Sequence, residues 1–194
     1  MPFVLTVDQR GSRRGSDRVP GALTLLSGVP TVLRFERTAG DEFQGVLDDP
    51  AAVVDVVRRL VRDGGWSIGI GAGPVQTPLP HSTRAGAGQA FIAARGAVEA
   101  AKRRPVRVAV RGAVGEPAAD AQAVLTALAA LVERRSDQAW EAIALVQAGR
   151  TQAQAASELG VTRQAVSQRL SAGLWEVERD LGPTAARLLA RAAG

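Results

Sequence analysis

Near the end of the chain stands the stretch Thr151-Gln-Ala-Gln-Ala-Ala-Ser-Glu-Leu-Gly160-Val-Thr-Arg-Gln-Ala-Val-Ser-Gln-Arg-Leu-Ser171, which predicts two short helices joined by a tight turn. Thr151 and Gln154 have the spacing of a capping box, in which each side chain accepts a hydrogen bond from the other residue's backbone N–H. Gly160 can adopt the positive φ that a sharp exit from the first helix requires. We therefore expect the first helix to end at this glycine.

The second helix of the pair is expected to expose a polar face. Thr162 would cap this helix, and Val166 and Leu170, four residues apart, would point inward. The outward side chains are donors and acceptors of the kind that bind base edges in a major groove, as in a helix-turn-helix. A purely structural helical hairpin is the alternative. The residues predicted to contact DNA are Arg150, Thr151, Gln152, Thr162, Arg163, Gln164, Ser167, Gln168 and Arg169.

A third helix is predicted just before this pair, over residues 138–148, with Trp140, Ile143 and Ala144 as its supporting face. With this helix, the segment resembles the tetrahelical helix-turn-helix domains of sigma-factor region 4 and of MarR-type and LuxR-type regulators. The resemblance implies double-stranded DNA as a partner.

Composition narrows the class of protein. No run of about eighteen apolar residues exists, so we expect no membrane span. The first residues form a strand-like segment without a basic region, so we expect no secretory signal. The chain has no Cys and one His, which disfavours disulfides, thiolate or histidine metal sites and a histidine-dependent catalytic triad. These features predict a cytoplasmic protein.

The positive charge is concentrated in the first part of the chain. Residues 1–115 contain 16 basic and 10 acidic residues, whereas residues 116–194 contain 8 and 9. The segment predicted to bind DNA is therefore not basic as a whole. Non-specific attraction to phosphates must come from its few arginines or from the first part of the chain.

The pattern of the chain predicts an α+β protein with two domains, 1–115 and 116–194. Residues 3–110 follow the order β-α-β-β-α-β-α-β, which predicts an antiparallel-rich sheet with helices on one face. A linker is expected at Gly112–Asp120. From Ala119 on the chain is predicted to be helical, with the last helix beginning after Pro183.

Three pieces of the first domain occur in a recognisable order. Asp8 ends the first strand and is followed by Gln-Arg-Gly11-Ser12; a hairpin carries Ala39-Gly40-Asp41-Glu42-Phe43; a later strand reads Ile68-Gly-Ile-Gly-Ala-Gly-Pro-Val75. The order and spacing resemble the palm of class III nucleotide cyclases and, more distantly, the GGDEF palm. The resemblance covers about residues 3–103 and implies a palm with a ferredoxin-like core.

The resemblance also implies a site. Asp8 and Asp41 would hold Mg²⁺, which binds carboxylates together with phosphate oxygens and water. A purine nucleotide would bind through this cation, and backbone N–H groups of the loop after the first strand would donate to its phosphates. The alternative is that both aspartates are ordinary turn residues. The residues implied to bind the nucleotide are Gln9, Arg10, Gly11, Ser12, Arg13, Arg14, Gly40 and Arg95.

One departure from the cyclase pattern bears on catalysis. Cyclases begin the following helix with Val-Asn-x-Ala-x-Arg, and here Arg95 fits the arginine position while Phe91 stands where the asparagine is expected. A phenyl ring cannot donate a hydrogen bond to developing charge. No catalytic residue is therefore assigned, and the chain is similar to the SatD-like family, a resemblance that implies a DNA-binding regulator.

The expected function is accordingly a dimeric DNA-binding transcription regulator whose palm domain senses a nucleotide or mediates dimerisation. The alternative is a metal-dependent nucleotidyl cyclase or nucleotide hydrolase with a DNA-binding tail. A third interpretation is a helical partner for another protein, which the exposed Gln/Arg face disfavours. The apolar stripe Ala123, Val124, Ala127, Leu128 and Leu131 is predicted to help form the homodimer.

Overall fold

The computed structural model describes residues 1–12 and 15–194, so the nucleotide-site predictions for Arg13 and Arg14 lie outside the described residues. Its strands are β1 (Phe3–Gln9), β2 (Leu33–Ala39), β3 (Glu42–Leu47), β4 (Trp66–Ala72) and β5 (Val108–Gly112). Its helices are α1 (Val19–Leu25), α2 (Pro50–Asp63), α3 (Gln89–Ala101), α4 (Gly115–Glu133), α5 (Asp137–Gln147), α6 (Gln152–Leu159), α7 (Arg163–Ala172) and α8 (Trp175–Ala193).

The five strands form one mixed sheet in the order β2-β3-β1-β4-β5. Strand β1 is central and pairs antiparallel with both β3 and β4, while β5 lies parallel to β4. The predicted α+β class, a sheet followed by a helical region, is confirmed.

Both faces of the sheet are covered, so the prediction of helices on one face only is wrong. Phe3, Leu5 and Val7 point toward the core shared with α1, α2, α4 and α8. Val4, between them in the chain, packs on the opposite face against α3. Alternation along a strand sends neighbours to opposite faces, and here both faces are apolar. Helix α3 connects two parallel strands and crosses the face that α1 and α2 leave open.

Two glycines of β4 let α3 approach the sheet closely. A Cβ at Gly69 would collide with the backbone of Ala94 and Val98, and a Cβ at Gly71 with the backbone of Ala90 and Ala94. The glycines in Ile68-Gly-Ile-Gly therefore have a packing role in this fold.

The helical region is joined to the sheet through α4 and α8. Leu125 and Leu128 of α4 and Leu189 of α8 belong to the same buried cluster as the sheet residues. The boundary predicted at residue 115 falls at the first residue of α4. The linker expected at Gly112–Asp120 is wrong, because β5 runs to Gly112 and α4 begins three residues later, with Pro117 in its first turn, where proline is tolerated.

Helix α8 is continuous, so the prediction of a new helix after Pro183 is wrong. The proline lies inside the helix and removes one backbone donor. Apolar packing of Ala185, Leu189 and Ala192 against α4 and the sheet holds the second half of the helix in place. Tertiary packing here outweighs the local preference of proline.

The apolar stripe of α4 is only partly available for a dimer. Leu128 is fully buried within its own chain, which contradicts its predicted position on a free face. Val124 and Leu131 pack against the two cores, and Ala123 and Ala127 are exposed.

In the part of the chain that the structure describes, no helix is both long and apolar enough to cross a membrane.

Candidate nucleic-acid interface and ligand cleft

The turn between α6 and α7 has the geometry that its sequence predicted. The Thr151 hydroxyl accepts from the Gln154 N–H, and the Gln154 side chain accepts from the Thr151 N–H, which completes the capping box. Gly160 ends α6 in the left-handed region at φ 64°. The Thr162 hydroxyl then accepts from the Ala165 N–H and caps α7. Each helix end thus satisfies backbone donors that would otherwise lack partners.

A small core of its own holds these helices together. Its buried members come from the end of α4 and from α5, α6 and α7: Val132, Trp140, Ala142, Ile143, Ala155, Ala156, Val166 and Leu170. The predicted inward positions of α7, Val166 and Leu170, are therefore confirmed. Ala144 is exposed, so its predicted supporting role is wrong.

The outer face of α7 carries polar groups that are free within the chain. Arg163, Gln164, Ser167 and Gln168 are exposed, and their side chains make no hydrogen bond or ion pair with the described residues. This face can therefore offer donors and acceptors to a ligand without breaking any internal contact.

The other residues predicted to contact DNA have internal partners or are less accessible. Arg150 pairs with Glu158 at 2.7 Å, and Arg169 pairs with Glu141 of α5 at 3.4 Å. The hydroxyls of Thr151 and Thr162 serve as helix caps, and Gln152 is half-buried. To contact a phosphate, each of the two arginines would have to leave its carboxylate or contact carboxylate and phosphate at the same time.

A buried ionic junction links α2, which packs on the sheet, to α8 and to the connection between α4 and α5. The Glu178 carboxylate of α8 is 3% exposed and contacts Arg58 of α2 and, at 2.6 Å, Arg135 between α4 and α5. The arginine N–H directions are not aligned as hydrogen bonds, so the contacts are ionic. Arg135 also donates from Nε to the Gly173 carbonyl at 2.9 Å. Its guanidinium and that of Arg62 lie over the Trp140 ring, 4.5 and 4.3 Å from the centroid.

A cleft of about 1320 Å³ opens at the end of the sheet where β1 and the β2–β3 hairpin meet. Most of its lining is polar or charged. The residues that line it are Asp8, Gln9, Arg10, Gly11, Ser12, Gly15, Asp17, Arg37, Gly40, Asp41, Gly65, Ser67, Lys102 and Arg107. The cleft therefore brings together the predicted site residues Asp8–Ser12, Gly40 and Asp41.

The loop after β1 is shaped by a buried glutamine. Gln9 is 4% exposed, and its amide donates to the Ser16 carbonyl at 2.7 Å while its oxygen accepts from the Arg18 N–H at 2.9 Å. Arg37 closes the other side of the cleft by pairing with Asp17 at 2.5 Å and donating to the Gly40 carbonyl at 2.7 Å. The Asp17 pKa is lowered, chiefly by the hydrogen bond from Arg37. Gln9 is thus a scaffold for the loop.

The two predicted metal ligands line the same cleft but have separate partners. Asp8 Oδ2 lies 2.8 Å from Lys102 Nζ, and Lys102 also contacts Glu99 at 3.0 Å. Asp41 accepts a hydrogen bond from the Ser12 hydroxyl. Burial lowers the pKa of Lys102, but the hydrogen bonds and charges of Asp8 and Glu99 outweigh it and raise that pKa above its usual value. Lys102 is therefore a cation beside Asp8.

This arrangement does not fit a cation shared by Asp8 and Asp41. Mg²⁺ would have to approach Asp8 against the charge of Lys102, and like charges at such short range repel strongly. Within the described residues no cluster of three or more His, Cys, Asp or Glu forms that could hold a metal ion. We therefore derive no chemistry through a metal at this site.

Arg95 and Phe91 do not line the cleft. Arg95 forms an ion pair with the buried carboxylate of Glu42, which lies opposite Asp8 in the β1–β3 register. Phe91, in the first turn of α3, packs against Val4 and Val46 near the other end of β1. Lys102 lies eleven residues further along the chain, which corresponds to about 16 Å along a helix. Arg95 is therefore outside the lining of the cleft, and its predicted role in binding a nucleotide stays a prediction.

Sequence reasoning did not assign four charged residues to the cleft that the structure places there: Asp17, Arg37, Lys102 and Arg107. The pairs Asp17–Arg37 and Asp8–Lys102 join residues that are distant in sequence. Lys102 is also the single lysine of the chain. Comparison with family models, with curated proteins and with solved structures found no match to this chain.

Proposed function

We propose that this protein is a DNA-binding transcription regulator whose recognition helix α7 contacts base edges in the major groove. The observation that carries the proposal is the exposed face of Arg163, Gln164, Ser167 and Gln168, whose polar groups have no partner among the described residues. A helical hairpin with a purely structural role does not require four such side chains on one face. The rigid, capped turn before α7 would fix the direction in which they point.

The sheet half serves, in this proposal, as a cyclase- or GGDEF-like palm that binds a nucleotide effector. The strand order β2-β3-β1-β4, with antiparallel neighbours and with α1 and α2 on one face, supports a ferredoxin-like core. The polar cleft at the end of β1 supports a site for a small charged ligand. We assign no catalytic step to it, because Phe91 is buried among apolar residues away from the cleft.

We further propose that the regulator acts as a homodimer in the cytoplasm. Leu174 and Val177, at the start of α8 next to the recognition helix, are large apolar side chains that are 49% and 45% exposed. A second copy of the chain would cover them and place two recognition helices on one duplex. Half-site centres should then lie about one helical turn apart, roughly 10 bp, or a multiple of it.

The test is selection of a preferred sequence from a random duplex library, followed by a gel shift. We expect the full chain to enrich a twofold-symmetric site and to bind it as a dimer, as measured by analytical ultracentrifugation of the complex. The variant Arg163→Ala/Gln164→Ala/Gln168→Ala should lose the preference. A matched control is Gln138→Ala, on an exposed position of α5. Enrichment of no sequence by the full chain would overturn the proposal.

A further inference from the structure

Lys102 lines the cleft and contacts two carboxylates. Its ammonium nitrogen is 2.8 Å from Asp8 Oδ2 and 3.0 Å from Glu99 Oε1. Its side chain is about one-third exposed, and the residue lines the cleft. An ammonium group has three N–H donors, and two carboxylates account for two of them. One donor therefore remains to face a ligand.

Two arginines in the same cleft also have donors to offer. The Arg10 side chain makes no hydrogen bond or ion pair with the described residues and is exposed. Arg107 donates one N–H to the Lys102 carbonyl, so its remaining donors are not used by that contact. Arg37 differs, because Asp17 and the Gly40 carbonyl occupy it. Among the described residues, the free donors of the cleft thus come from Lys102, Arg10 and Arg107.

The chemistry of these donors selects the ligand. Arginine binds phosphate oxygens through paired N–H groups, and lysine binds them as a compact charge. A divalent cation normally brings a carboxylate and a phosphate together, because both are anions. Here the ammonium of Lys102 already touches the carboxylate and can touch a phosphate at the same time. The cation that joins the two anions is part of the chain.

We propose that the cleft binds a phosphate-bearing small molecule without a divalent cation, with Lys102 in the place beside Asp8 that a metal would otherwise occupy. Lys102, Arg10 and Arg107 hold the phosphate oxygens. Asp8 keeps the ammonium in position and makes no contact with a metal. This inference rests on the ligand cleft of the proposed function and specifies that recognition of the ligand there does not need a divalent cation.

The experiment measures the melting temperature and the Kd of the full chain with GTP, ATP and inorganic pyrophosphate, in excess EDTA and in Mg²⁺. A ligand that binds only the native state raises the melting temperature. We expect binding of at least one probe in EDTA, with an affinity not increased by Mg²⁺. Tighter binding of a nucleotide than of pyrophosphate assigns the site to nucleotides, and equal binding assigns it to free phosphates.

Variants separate the two forms of recognition. Lys102→Met should weaken binding in EDTA about 10-fold or more, as should Arg10→Ala, because each loses a charged hydrogen bond to phosphate. Arg103→Ala, an exposed neighbour that does not line the cleft, is the matched control and should bind normally. Asp8→Asn should weaken binding in EDTA less than Lys102→Met does, because the Asn oxygen still accepts a hydrogen bond from the ammonium. If Asp8 instead bound a metal ion, the same change would abolish binding.

Binding that requires Mg²⁺, or that Asp8→Asn abolishes, would overturn the inference and leave a metal-dependent nucleotide site in its place. Binding of none of the three probes under either condition would also overturn it. Neither result touches DNA recognition by α7, which is measured without these ligands. Circular dichroism of each variant checks that it is folded, and Arg10→Ala, an exposed change, keeps the test available if Lys102→Met does not fold.

Discussion

At the scale of single residues, the polar side chains of α7 and of the segment that leads into α6 divide into those with an internal partner and those that are free. Arg169 and Arg150 are tied to carboxylates of the same domain, whereas Gln164 and Gln168 are free. An amide can pair with the edge of adenine through two hydrogen bonds, so it carries base preference. The ion-paired arginines are better placed to bind the backbone, where base identity is not sensed.

Base preference should therefore depend on the two glutamines. On the selected site, Gln164→Ala or Gln168→Ala should each cost about 1–3 kcal/mol against the preferred base at one position per half-site. Arg169→Ala should weaken binding similarly on all sequences and reduce its salt dependence. Competition gel shifts with single-base variants of the site make this measurement. Unchanged preference in both glutamine variants would contradict the assignment of α7.

Gly160 offers a test of the turn that is independent of DNA. Its φ is 64°, and a Cβ built there would meet no atom within 4 Å, so the cost of a side chain is purely that of the backbone. Gly160→Ala should destabilise the protein by about 1 kcal/mol in urea denaturation. Gly182→Ala, equally uncrowded but inside α8, should stabilise it by about 1 kcal/mol, because alanine is the better helix former. The same sign for both would contradict this account.

At the scale of elements, the approach of α3 to the sheet depends on β4. Gly71 has no room for a Cβ because the backbone of α3 fills that space. Gly71→Ala should move α3 away from the sheet and lower the free energy of unfolding by about 1–3 kcal/mol or more. Gly28→Ala, at a position with open space, should change it by less than about 0.5 kcal/mol. Urea denaturation of both variants is the measurement, and equal effects would argue against close packing at β4.

The elements that were predictable from sequence are those with strong local signals. Helix α2 and strand β4 belong to the predicted order of elements, because an apolar face, flanking glycines and Asp49–Pro50 mark them locally. The placement of α3 was not predictable, since strands β1 and β4 are apolar on both faces and do not show which helix covers which. The continuity of α8 through Pro183 is fixed by packing against distant residues of α4.

The same distinction applies to the candidate sites. The face of α7 was predicted residue by residue, because helical periodicity alone separates Val166 and Leu170 from their exposed neighbours. The cleft was predicted only in part. Asp8 and Asp41 were expected to share a cation, but the approach of Lys102 at the end of α3 depends on how the helix crosses the sheet. Long-range ion pairs leave no periodic pattern in a sequence.

At the scale of the whole molecule, the junction around Glu178 connects the two proposed functions. This carboxylate joins α2, which packs on the sheet, to the connection between α4 and α5. That connection leads into α5, α6 and α7. The guanidinium groups of Arg62 of α2 and of Arg135 of that connection both lie over the Trp140 ring, so both sides of the junction also meet at one aromatic side chain. A ligand in the cleft and DNA on α7 would be coupled through these contacts if either shifted α2 relative to α5.

Removal of the Glu178 carboxylate tests how far this junction holds the halves together. Glu178→Ala would leave Arg135 buried without a counter-charge and Arg58 with only Asp55, at 3.7 Å. The change should cost about 3–5 kcal/mol of unfolding free energy. Glu176→Ala, an exposed neighbour on α8, is the matched control and should change it by less than about 0.5 kcal/mol. In hydrogen exchange, the amides of α5–α7 should lose protection in the Glu178 variant while those of β1 and β4 keep it, because the helices then open separately from the sheet. Equal loss of protection in the sheet and in α5–α7 would show that the junction stabilises the chain as one unit and does not specifically hold α5–α7 to the sheet.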